Sequence, residues 1–154
     1  MRTTRLGRIG VAVAVGISGF IHLRIWQHEY RSAPVREMFV ANWALSALVA
    51  VVLVASVAGR IPSRVDRAAL LGATLLALGS LAAFALSRGP GLPTLHGTFK
   101  EHGLETTAAY FFGIGSAKVA LVSETVAATL SGWVLLASVH VRPHRTAQPV
   151  ALPS

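Results

Sequence analysis

The chain has 154 residues, 53% of them hydrophobic and only 13% charged, and its mean hydropathy is +0.60; soluble domains carry about a quarter charged residues, so an ordinary soluble domain is excluded. The absence of cysteine excludes disulfides, thiolate metal sites and cysteine nucleophiles together. The net charge of +8 and isoelectric point near 11.5 do not describe a nucleic-acid partner, because the arginines flank apolar runs instead of clustering on one solvated face.

Residues 9–26, IGVAVAVGISGFIHLRIW, form the first apolar run. A basic start ahead of an apolar core also fits a cleaved signal peptide. The core is long, however, and no convincing small-x-small cleavage site follows it before His22 and Arg24, so a retained helix is expected. The second and third runs, residues 38–58 and 68–87, are uncharged throughout and read as membrane helices by length. SRGPGLP, from Ser87 to Pro93, is a Gly/Pro-rich turn that ends the third helix.

Apolar sequence then extends from Thr106 to Val139, with Lys118 and Glu124 inside it. A bilayer core needs only about 20 helical residues. The surplus predicts a break near Gly113 and Gly115, a helix over 117–139 and an interfacial segment over 106–116. Tyr110, Phe111 and Phe112 fall at headgroup depth there, as does Trp26 at the end of the first helix. The expectation is an all-α, four-helix transmembrane bundle over residues 1–142, followed by a disordered tail over 143–154.

Basic residues at the helix ends orient the bundle. With the N-terminus in the cytoplasm, the inner segments hold eight of them: Arg2, Arg5, Arg8, Arg60, Arg64, Arg67, Arg142 and Arg145. The outer segments hold six: Arg24, Arg31, Arg36, Arg88, Lys100 and Lys118. Both termini are therefore expected in the cytoplasm, with the chain a multi-pass protein of the cytoplasmic (inner) membrane. Lipid headgroups are expected partners of the positive charge, along with other membrane proteins or further copies of the chain; nucleic acid is not.

Polar side chains at membrane depth need a reason. Glu124 lies inside the fourth helix on a face with Ala117, Ala120, Ala127, Ala128 and Ser131, and small residues of that kind admit a neighbouring helix. His22 and Asn42 stand near the outer ends of the first and second helices, and Arg88 closes the third. The four define a buried polar cluster in which Arg88, His22 or both hold Glu124 and Asn42 completes the hydrogen bonds. Such a cluster serves either as an interhelical clamp or as a buried site for a proton, a cation or a polar headgroup.

The outer loop offers His96, Glu101 and His102 as a surface metal site, though their spacing matches no standard zinc pattern. Solvated loop histidines are the plainer reading. A membrane haem would need two histidines at one depth, and only His22 is clearly inside a span. No phosphate loop, GxSxG or HExxH is present, so no catalytic residue is assigned and the cofactor is unknown. Three function classes stay open: an accessory or scaffolding subunit of a larger membrane complex, a small redox or metal-handling protein, and an oligomeric transporter subunit. Small size and the lack of catalytic motifs favour the first.

The stretch GFIHLRIWQHEYRSAPVREMFVANW, the SRGPGLP turn and Glu124 together resemble small four-span membrane proteins of high-GC bacteria. The residues that carry the likeness are His22, Tyr30, Arg31, Pro34, Ser87, Arg88, Gly91, Leu92, Pro93 and Glu124. More distantly, the chain resembles DoxX-like four-helix proteins. The resemblance implies the architecture and points to His22, Arg88 and Glu124; it implies no substrate. The loop from Thr94 to Lys118 departs from the pattern, so His96 and His102 draw nothing from it.

Overall fold

The structure is a computed structural model that describes residues 2–28, 33–88, 110–111 and 114–140. Four α-helices account for nearly all of them: α1 (Arg2–His28), α2 (Ala33–Val57), α3 (Ser63–Arg88) and α4 (Ser116–His140). Two short strands, β1 (Tyr110–Phe111) and β2 (Ile114–Gly115), pair antiparallel directly ahead of α4.

Each helix contains a segment long and apolar enough to cross a membrane: Arg5–Gln27, Arg36–Val57, Ser63–Leu86 and Lys118–Ser138. The chain is thus a multi-pass membrane protein with a four-helix bundle as its fold. The helices begin earlier than the apolar runs alone predict, at Arg2 instead of 9, Ala33 instead of 38 and Ser63 instead of 68. A helix satisfies its own backbone in lipid and headgroup region alike, so the end of an apolar run does not stop it.

The α2–α3 connection shows how the chain turns back. Gly59 adopts φ 73°, the left-handed conformation that glycine takes without steric cost. Its N–H donates to the Ser56 carbonyl and that of Arg60 to the Ala55 carbonyl, a Schellman cap of α2. Pro62 and Ser63 then open α3, with the Pro62 carbonyl accepting from Val65 and Asp66 N–H.

Helix α1 packs against α2 and α4, and α3 packs against the same two. The helices therefore stand in chain order around a square, each antiparallel to its neighbours, with α2 and α4 facing across a diagonal and out of contact among the described residues. Val11, Leu53, Leu70 and Val134, one from each helix, are fully buried in the apolar core. Leu45, Leu48, Val51 and Val54 of α2, Leu71, Leu75 and Leu78 of α3, and Val122 and Leu136 of α4 face outward, as a bilayer-facing surface requires.

Without water to expel, helices in lipid associate by close packing at small residues and by polar ties. Helix α1 supplies the close packing at two levels. A Cβ on Gly19 would fall 2.6 Å from Ser46 Cβ, and one on Gly7 would fall 2.5 Å from Val134 Cγ2. Gly16, by contrast, has nothing within 4 Å of that position. Gly19→Leu is expected to cost about 1–3 kcal/mol through overpacking, whereas Gly16→Ala should be neutral or stabilising by up to about 1 kcal/mol from helix propensity. Unfolding in mixed micelles of mild detergent and dodecyl sulfate measures both, and equal losses in the two variants would refute the close α1–α2 approach.

Candidate functional site

Two polar layers cross the bundle, one toward each end. The first gathers on Glu124, which lies six residues past Lys118, the start of its span, or about 9 Å along the helix. It is 4% exposed. Five positions on the other helices reach this layer, one of them Ser80 on α3. On α1, Ser18 and His22 share a face at i, i+4 spacing, and on α2 Asn42 and Ser46 do the same.

Ser18 Oγ donates to Glu124 Oε1 at 3.1 Å, and Ser80 of α3 lies beside the same carboxyl group. Asn42 Nδ2 donates to Ser80 Oγ at 2.6 Å, and Ser46 Oγ donates to Asn42 Oδ1 at 3.1 Å. Hydrogen bonds thus tie α2 to α3 and α1 to α4, and the two ties meet where Ser80 stands beside Glu124.

His22 is buried against Phe39, ring centroids 5.3 Å apart. Its Nδ1 lies 2.8 Å from the Ser18 carbonyl oxygen. A carbonyl only accepts, so Nδ1 carries the hydrogen and Nε2 faces Glu124. Nε2 and Oε1 are 3.6 Å apart, beyond direct hydrogen-bond distance and within range of an electrostatic contact.

The second layer lies toward the end that carries the chain's N-terminus. Arg8 Nε donates to Asp66 Oδ1 at 2.9 Å and Arg8 Nη2 to Oδ2 at 2.7 Å, the two-pronged geometry that suits guanidinium and carboxylate. Ser56 of α2 donates to Oδ1 as well. Asp66 sits in the first turn of α3, where the helix dipole favours a negative charge. Between the layers, Thr74 Oγ1 and Ser131 Oγ share a hydrogen bond of 2.7 Å across α3 and α4.

The structure brings His22 and Glu124 together, whereas Asn42 bonds to Ser80 and Ser46 and not to either of them. Arg88 ends α3, and its side chain lies outside the described residues. So do His96, Glu101, His102 and Phe112, and the side chains of Tyr110 and Phe111. Trp26 stacks beneath Arg36, whose Cζ is 5.3 Å from the ring centroid, an arrangement that gives a cation–π contact. Among the described residues no group of three or more His, Cys, Asp or Glu could hold a metal ion.

Sequence reasoning missed the Arg8–Asp66–Ser56 group and the part played by Ser80. A signal for the first exists: Asp66 is the one acidic residue in the Arg60–Arg67 stretch. For Ser80 none exists, since a serine in an apolar helix is common and cheap. Comparison of the chain with family models, with curated proteins and with solved structures gives no match.

Side-chain exposures of 17% for Arg8 and 6% for Asp66 make this a partly buried pair. Asp66→Ala strands the guanidinium and is expected to cost about 2 kcal/mol, less than a fully buried pair because solvent still reaches Arg8. The double variant Arg8→Met, Asp66→Ala should recover part of that loss in the same unfolding assay. Additive losses in the double variant would show that the two side chains are not coupled.

Proposed function

We propose that the protein is an accessory or scaffolding subunit of a larger assembly in the cytoplasmic (inner) membrane of a bacterium, with both termini in the cytoplasm and no catalysis of its own. The observation that carries this reading is a polar core turned in on itself. Ser18 is bonded to Glu124, and Asn42 to both Ser80 and Ser46, and the crevice beside them has a volume of about 10 Å³. Small-molecule sites typically enclose roughly 300–1,000 Å³.

A transport path through one bundle is disfavoured by the buried layer of Val11, Leu53, Leu70 and Val134. The close approach of Gly7 to Val134 and the Arg8–Asp66 pair put these four residues within about a turn of one level, between Thr74–Ser131 and Asp66. The broad outward apolar face of α2 suits contact with lipid or with a neighbouring helix. The basic ends, the resemblance to four-span proteins of high-GC bacteria and the missing catalytic motifs point the same way.

A tagged copy at native expression, taken from its own membranes in mild detergent, should elute with defined proteins in fixed stoichiometry. Mass spectrometry of the eluate then identifies the process it serves. Elution alone, or only with copies of itself, would end the accessory reading.

A further inference from the structure

Two titratable side chains meet in the Glu124 layer. The Nδ1 hydrogen of His22 goes to the Ser18 carbonyl oxygen at 2.8 Å. That bond fixes the ring and turns Nε2 toward Glu124 Oε1, 3.6 Å away. A carboxylate oxygen only accepts, and so does the Nε2 of a neutral ring whose hydrogen sits on Nδ1. With no proton on the pair, two acceptors therefore face one another. One hydrogen between them turns the contact into a bond that a small approach completes.

Charge makes the same demand. The side chains of His22 and Glu124 are 11% and 6% exposed, so the unprotonated pair leaves a negative charge in an apolar surrounding, which is costly. Charged groups on the packed helices stand away from it. Arg24 of α1, Arg36 and Glu37 of α2, and Lys118 of α4 are all exposed, and Arg36 lies over Trp26. On α3, Arg88, whose side chain is outside the described residues, is eight positions past Ser80, about 12 Å of helix. Arg8 and Asp66 hold each other in the other layer.

A single proton answers both demands. The pair is then imidazole with carboxylic acid, or imidazolium with carboxylate. Either form has zero net charge and a hydrogen between Nε2 and Oε1. A second proton would leave a buried positive charge instead.

We propose that His22 and Glu124 form a proton-binding site that holds one proton between the two side chains at neutral pH and so ties α1 to α4. The site lies within a single bundle, so it stands whether or not the chain works as a subunit of a larger complex.

The test uses the full chain in nanodiscs of zwitterionic lipid at about pH 7.5, where a solvated imidazole and carboxyl group together hold only about a tenth of a proton. Replacing the other five of the six histidines with glutamine leaves His22 as the one ring for nitrogen-15 spectra. Solvated carboxyl groups are ionised at this pH, so an infrared carboxylic-acid band reports Glu124. The two readings are expected to add to one proton, and as pH rises both signals should shift in one transition, as coupled groups do. A neutral imidazole beside a carboxylate, or an imidazolium beside a carboxylic acid, would overturn the proposal. Neither reading needs a variant of the pair.

A second readout is stability. At this pH the folded pair holds more protons than the unfolded chain, so stability falls as pH rises, with the folding constant dropping by up to about tenfold per pH unit. Glu124→Gln, whose amide gives Nε2 a hydrogen without titrating, should remove that slope. An unchanged slope in the folded variant would overturn the proposal too.

Discussion

A carboxyl group placed six residues inside a membrane-spanning helix has no solvent to turn to, so the neighbouring helices must supply its partners. For Glu124 they come from every other helix. Ser18 and His22 stand on α1, Ser80 stands on α3, and α2 contributes through Asn42. This demand sets how each helix is rotated about its own axis. On α1 and α2 the participating residues are four apart, so one stripe of each helix faces inward, and on α2 the residues about 100° away face lipid. Leu45, flanking Ser46, illustrates this by its exposure.

Rotation alone does not fix how far the helices slide past one another. Apolar side chains have little preference here, because lipid tails receive them as well as a protein interior does. Register comes instead from pairings that tolerate no slip. Gly19 meets Ser46, Gly7 meets Val134, and Arg8 grips Asp66 with both prongs of its guanidinium. The Gly59 turn adds a local constraint by bringing Ser56 at the end of α2 next to Asp66 at the start of α3. A shift of one helical turn would break the glycine contacts and a polar tie together, so the two kinds of interaction enforce the same arrangement.

The four helices are readable in the sequence because uncharged apolar runs of this length have few alternatives. The inward direction of Glu124 is readable as well, from the small residues on its face. The third helix shows where such reading stops. Starting it at 68 keeps Asp66 and its flanking arginines out of the apolar run, a sound rule for an isolated helix. In the bundle α3 begins at Ser63 and buries Asp66, because a residue 58 positions earlier neutralises it. Pairing across that distance has no local trace. The same holds for Ser80: its hydroxyl meets Asn42 only after α2 and α3 are side by side, and nothing in GSLAAF separates it from Ser87 or Ser138.

The two polar layers solve the same electrostatic problem with different means. At the Asp66 layer the chain supplies its own positive charge, from an arginine that stays protonated at any physiological pH, and the serine there only adds a hydrogen bond. At the Glu124 layer the described partners are hydroxyls, an amide and an imidazole whose one assigned hydrogen is spent on a backbone carbonyl. None of these brings a permanent charge. The Glu124 layer is thus held by hydrogen bonds and close packing, where the Asp66 layer is held by an ion pair.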